Sequence, residues 1–228
     1  MVFYVGKTIF LVLVVSTFGF GYNISFMNKN LKEIVAVIPA PSIKKIIRKN
    51  GLKICDIPKD FIIKNSQAYV RYDAEQIYDV IQLVSVFVIH NSKKILIHKR
   101  SKRLPEKRLH EEYSTIFGGH ILMEDLCSLF DPFDVKNYGF ITRELYEEVD
   151  LKKIEEIKPV GLLYDDSRDI SKQHLGLVFS VKADLKDYQI KEKGFFIKHS
   201  AESINNLKNN KNFDNWSKII IKNIGKII

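Results

Sequence analysis

The run Val84-Ser85-Val86-Phe87-Val88-Ile89 constrains this chain more than any other stretch. Its nearly unbroken apolar, β-branched and aromatic character reads as a buried strand. Asn91-Ser92 supplies a turn, and Lys94-Ile95-Leu96-Ile97-His98-Lys99 reads as the hairpin partner. Helical spacing follows over Asn137–Val149, and Val160–Tyr164 and Leu175–Val181 are further strands. A short strand at Phe195–Ile197 precedes a helix over Ser200–Leu207, and Trp216, Ile219, Ile220 and Ile224 fall on one face of a C-terminal packing helix. Upstream, Ile34–Ile38 is a strand closed by Pro39 and Pro41 in an extended turn, residues 42–50 are basic and helix-compatible, and 51–78 carry no strong period. Strands, helix, strands, helix is the order of an α+β chain, an α/β/α sandwich around a mixed central sheet.

A chain of 228 residues holds one domain of ordinary size plus an extension. With 46% hydrophobic and 28% charged residues it is not a disordered polymer. The formal charge of +9 suits a phosphate-bearing ligand. The lysines are scattered without a long basic run, as an AT-rich genome would also produce, so no nucleic-acid partner is expected. Cys55 and Cys127 lie far apart and form no metal-spacing motif, which argues against a disulfide framework and for a reducing compartment.

Residues 9–22, IFLVLVVSTFGFGY, follow Lys7 as an apolar stretch with three readings. It is a membrane anchor at the lower length limit, a signal-peptide core lacking a clear cleavage site, or a gene-model extension ahead of a true start at Met27. The expectation is a cytoplasmic protein, with membrane anchoring through 9–22 as the alternative. The division is a hydrophobic leader at 1–26, an extension at 27–78 and a main domain at 79–228.

Chemistry concentrates in the first long helix. Glu144, Glu147 and Glu148 stand at i, i+3 and i+4, so three carboxylates share one face. Like charges so spaced destabilise a helix by a few tenths of a kcal/mol per pair unless a cation neutralises them. Oxygen-only ligands favour a hard cation, Mg²⁺ first and Mn²⁺ second. Arg143, one residue earlier, is placed to orient a carboxylate. Taken alone, such a helix also fits an ordinary solvated face. The upstream element changes that: Phe117-Gly118-Gly119-His120 ends a strand with two glycines, which permit close backbone approach to a ligand.

A glycine loop feeding a carboxylate helix resembles the Nudix box, G-x5-E-x7-R-E-U-x-E-E-x-G-U, where U is bulky and aliphatic. Gly119 starts the motif, Asp125 takes the first acidic position with Glu124 beside it, and Arg143, Glu144, Leu145, Glu147, Glu148 and Leu151 match the second half in order. Two departures stand out. Seventeen residues, 126–142, replace the usual seven, and Asp150 replaces the glycine that usually caps the helix in a left-handed conformation. The segments Glu106–His110, Gly161–Ser167, His174–Phe179 and Asn215–Ser217 further resemble a bacterial, MutT-like subgroup of Nudix proteins described as predicted phosphoesterases.

The resemblance implies hydrolysis of a diphosphate linkage in a nucleoside diphosphate-X type of small molecule, dependent on Mg²⁺ or Mn²⁺. Glu144, Glu147, Glu148 and Arg143 would be catalytic, with Glu144, Glu147, Glu148 and Asp125 holding metal. Gly118, Gly119, Arg100 and Arg108 would meet the substrate. A nucleotide-binding module without turnover and a membrane-tethered diphosphatase are the alternatives. His120 faces the site or is structural; Asp165-Asp166-Ser167 shapes the pocket or is a plain turn. His174 is read as a satisfied strand-end histidine and Trp216 as core.

Overall fold

The computed structural model describes residues 2–5, 8–11, 29–47, 49–102, 109–126, 139–191, 195–207 and 212–228, with backbone alone at 2–5, 8–11, 29–30 and 139–143. The strands are β1 (Val2–Val5), β2 (Thr8–Leu11), β3 (Ile34–Pro39), β4 (Gly51–Ile54), β5 (Gln67–Val70), β6 (Val80–His90), β7 (Lys94–Arg100), β8 (Tyr113–Ser114), β9 (Val149–Leu151), β10 (Ile154–Tyr164), β11 (His174–Ala183), β12 (Tyr188–Ile190) and β13 (Phe196–Ser203). The helices are α1 (Ala40–Ile46), α2 (Lys59–Asn65), α3 (Arg71–Ala74), α4 (Gly139–Glu148), α5 (Asp169–Lys172), α6 (Asn215–Lys222) and α7 (Ile224–Ile227).

Nine of these strands form one mixed sheet, running β13-β7-β6-β11-β10-β4, with β3 joined at β6, β5 joined at β3 and β8 joined at β7. The β6–β11 pair is parallel and the other pairs are antiparallel. Residues alternate across β6 as a strand's two-residue period requires. Leu83, Phe87 and Ile89 join one apolar cluster with Leu145 of α4. Val84, Val86 and Val88 join a second cluster with Ile220 and Ile221 of α6. Helices therefore cover both faces, the α/β/α sandwich expected from the sequence.

The extension is woven into that sheet. β3 pairs with β6 and β4 pairs with β10, so residues 34–54 build part of the central layer. Among the described strands, β1 and β2 pair only with each other. Among the described residues no helix is long and apolar enough to cross a membrane; residues 12–28 of the apolar leader lie outside them.

Several local expectations are corrected. Pro39 and Pro41 do not close an extended turn; Pro39 is the N-cap of α1 and Pro41 sits in its first turn, where a missing N–H costs nothing. β7 leaves its hairpin partner early, pairing with β6 at His90↔Ile95. Residues 113–121 run through the gap, bonded to β7 at His98↔Ser114 and to β6 at Phe87↔Phe117 and Val84↔His120. No helix forms over Ser200–Ser203, because β13 continues to Ser203 against β7 before a 3-10 turn at Ile204–Asn206. Asp150 does not cap α4 in a left-handed conformation: the chain passes directly into β9, where Asp150 pairs with Gln189 of β12.

Candidate functional site

The glycine pair is held by β6. Ser85 donates its backbone N–H to the Gly119 carbonyl at 2.9 Å, and the Gly119 N–H donates to Ser85 Oγ at 3.1 Å. Gly118 has φ +133°, which only glycine adopts without strain, and a Cβ there would fall on the Ser85 carbonyl oxygen. At Gly119 a Cβ would instead fall on Oε2 of Glu144. The missing side chains let the loop backbone lie directly against the acidic helix.

Leu145 is fully buried, so the helical period turns Glu144, Glu147 and Glu148 towards the loop. Glu144 is only 8% exposed, and Glu148 accepts a hydrogen bond from the Gly118 N–H at 2.7 Å. All three carboxylates and both glycines line one cavity of about 590 Å³. The structure thus gathers five of the residues singled out by sequence. Arg143 lies in α4 beside Glu144, with its side chain among those not described. Arg108, Cys127 and most of the insertion fall outside the described residues. Asp125 sits in the turn after Leu122, its N–H bonded to the Leu122 carbonyl, and neither it nor exposed Glu124 lines the cavity. Among the described residues, no three His, Cys, Asp or Glu side chains stand together as a ready-made metal cage.

Arg100 reaches the cavity wall already engaged. Its guanidinium donates to Asp214 Oδ2 at 2.5 Å and to Ser114 Oγ at 3.0 Å. Asp214 also caps α6, accepting from the Ser217 N–H at 2.7 Å, and Ser217 Oγ accepts from the Thr115 N–H at 2.9 Å. Next to it, Asn215 donates to Asp165 and to Ser171 Oγ, while Ser167 Oγ donates to Asp165 Oδ2 at 2.6 Å. The 165–167 and 215–217 segments, distant in sequence, therefore meet as one polar knot behind the cavity. Asp165 is structural here: it holds Asn215, which lines the wall.

His120 and His174 both face the cavity and face each other, with Nε2 atoms 3.2 Å apart. His174 Nδ1 lies 2.6 Å from the Ile170 carbonyl, which can only accept, so Nδ1 carries a proton. In the neutral pair, His174 Nε2 then accepts from the Nε2–H of His120. Burial, with smaller contributions from Arg71 and His174, holds His120 well below the ordinary histidine pKa.

Four features of this wall escaped the sequence reading. Arg71 bridges Glu33 and Glu75 at one rim, a trio assembled from separate elements. Asp214 is the partner of Arg100. Trp216, expected in the core, does pack half-buried against the second apolar cluster, but it also lines the cavity, and its indole Nε1–H is buried with no acceptor among the described residues. His98 is 1% exposed and also lines the cavity. Its ring packs 3.9 Å from that of Phe196 and 4.7 Å from that of Phe117, and neither nitrogen has a hydrogen-bond partner among the described residues. The signal for His98 was present: it is the one polar residue directly following the apolar run Ile95–Ile97 that is buried with it.

No family model matches the chain. Protein YmaB of Bacillus subtilis (strain 168) is 27% identical over 161 residues, covering 66% of this chain and 74% of its own. The solved structure of Tm1382, described as a candidate Nudix hydrolase, is 24% identical with a TM-score of 0.69, covering 86% of this chain and 100% of that one. The MutT Nudix hydrolase of Burkholderia pseudomallei is 17% identical with a TM-score of 0.42 over 62% of this chain. The likeness to Tm1382 covers most of this chain, and this chain has the fold of a Nudix protein.

Proposed function

We propose that the chain is a Nudix-type hydrolase that cleaves a phosphoric anhydride bond in a small diphosphate, of the nucleoside diphosphate-X type, with Mg²⁺ or Mn²⁺. The observation that carries this reading is the single cavity wall shared by Glu144, Glu147, Glu148 and the glycine pair. The donor set fits a hard cation: the acidic groups there offer only oxygen, and glycine at 119 leaves Oε2 of Glu144 room against the loop. A divalent ion, when bound, screens the diphosphate charge and lowers the pKa of bound water.

Glu144, Glu147 and Glu148 would hold the ion, and Glu147, the most exposed of the three, is the candidate for accepting a proton from the attacking water. Glu148 accepts the Gly118 N–H on Oε2, which fixes the direction of its carboxylate. Arg143 is assigned an orienting role on that cluster. Arg108 is assigned to substrate phosphate, whereas Arg100 serves mainly as a strut through Asp214. Asp125 is the weakest member of the metal set, since it stands off the wall.

The boundaries 1–26, 27–78 and 79–228 are proposed on function: the last part carries the acidic helix and glycine loop, while 27–78 contributes strands and the Glu33–Arg71–Glu75 rim. The deciding experiment measures release of phosphate or nucleoside monophosphate from a panel of diphosphates with Mg²⁺ and Mn²⁺. Glu147→Gln and Glu148→Gln should each remove turnover while the far-UV spectrum and melting cooperativity stay intact. Near-normal turnover in both would overturn the assignment. Binding without cleavage by the wild type would point to a nucleotide-binding module.

A further inference from the structure

His98 is a costly residue to place where it is. An imidazole left without hydrogen bonds in an apolar nest gives up its solvation on both nitrogens, a penalty that phenylalanine would avoid. Its ring packs against Phe117 and Phe196, which fixes the plane in which its two nitrogens, unpartnered among the described residues, lie. His98 nevertheless forms part of the wall of the cavity that the three glutamates also line.

The remainder of the wall shows what it suits. Phe196, Ile116, Leu109 and Trp216 present apolar surface, and the Trp216 Nε1–H is a second buried donor without an acceptor among the described residues. Apolar faces with isolated polar edges match a flat ring that is apolar on its faces and polar around its rim. A sugar, with hydroxyls on all sides, would leave several of them against Phe196 and Ile116. A neutral imidazole can turn either a lone pair or an N–H to its partner by changing tautomer, and it offers no charge to hold phosphate.

We propose that His98 is a specificity-determining residue of this cavity, reading by an in-plane hydrogen bond the edge of a flat, uncharged heterocycle carried by the substrate. The proposal rests on the hydrolase reading only in taking the acidic wall as the diphosphate end.

Trp216 is the sole tryptophan and lines the cavity, so its fluorescence reports binding without turnover. The full chain is titrated with adenosine, guanosine, cytidine and uridine, and separately with ribose 5-phosphate. At least one nucleoside should bind saturably to the wild type and about tenfold or more weakly to His98→Phe, the loss expected for one unmade buried hydrogen bond. His98→Asn and His98→Gln put an amide near the place of Nδ1 or Nε2, and one of them should recover most of the affinity. Recovery separates hydrogen bonding from packing, and holds even if His98→Phe proves poorly folded.

Equal nucleoside affinity in wild type, Phe, Asn and Gln variants overturns the proposal. So does a wild type that binds no nucleoside, or one that binds ribose 5-phosphate with the same dependence on His98. The two readings fail separately. Glu148→Gln should remove hydrolysis yet leave the nucleoside titration unchanged, and His98-dependent nucleoside binding in a protein with no hydrolytic activity would remove only the hydrolase reading.

Discussion

The backbone N–H of Gly118 donates to Oε2 of Glu148 at 2.7 Å, joining two residues thirty positions apart. A charge-assisted bond of this kind is about twice as strong as one between neutral groups. It locks the helix carboxylates to the loop before any substrate arrives. The two glycines nevertheless serve different purposes, and substitution should separate them.

Gly118→Ala should destabilise the whole protein. The new Cβ meets the Ser85 carbonyl, which is backbone in a central strand and cannot step aside, at a φ of +133° that alanine resists. A loss of roughly 1–3 kcal/mol is expected, read as a lower urea midpoint. An unchanged midpoint would show that the loop relaxes freely.

Gly119→Ala should behave in the opposite way. Its Cβ meets the end of the Glu144 side chain, which can rotate, so the fold survives and the carboxylate moves. The expected result is a near-native melting curve with Mg²⁺-dependent turnover reduced at least about tenfold, a barrier increase near 1.4 kcal/mol. Full activity in Gly119→Ala would mean that Glu144 is not needed in its present position.

Breaking the Arg100–Asp214 pair should be expensive. Side-chain exposure is 14% for Arg100 and 4% for Asp214, so removing either leaves a buried charge, at about 3–5 kcal/mol. Asp214→Ala should cost roughly 1 kcal/mol more than Arg100→Ala, because it also strips the N-cap of α6. Chemical denaturation of both single variants and the double variant gives the coupling directly; additivity would refute the pair.

Stability should fall on mild acidification. Burial depresses the pKa of His98, His120 and His90 below the ordinary value of 6.5, so the unfolded chain takes up protons before the folded one. Their contribution is fully present above 6.5 and is lost as pH falls below it towards the folded values. Urea unfolding followed from about pH 8 to about pH 5 should show this slope, with His98→Phe shallower than wild type. Equal slopes would place the His98 proton exchange elsewhere.

Much of this architecture was legible because it rests on local periodicity. The β6 run, the acidic face of α4 and the glycines before it depend on residue spacing within one element, and all appear where spacing put them. The errors arose where distant contacts decide. β13 persists through Ser203 because β7 offers it a partner, whatever its own propensity. Asp150 needs no left-handed cap because β12 receives the chain leaving α4. Local spacing likewise gave no hint that Arg100 pairs with Asp214, which lies 114 residues away. The 165–167 and 215–217 segments could be marked as notable, but only the fold shows that they are two halves of one hydrogen-bonded knot.

The run of residues 113–121 between β6 and β7 has a kinetic consequence. A glycine-rich loop on a surface can exchange its amide hydrogens by brief local opening. Here the amides of Phe117 and Ile121 are bonded to β6 carbonyls, and that of Gly119 to Ser85, in the middle of the sheet. Freeing them means stripping residues 117–121 from β6, the strand at the centre of the sheet, which dismantles the centre of the molecule. Deuterium should therefore enter these positions no faster than the protein unfolds as a whole, and the rate at which the site loses its shape becomes the rate at which the protein loses its fold.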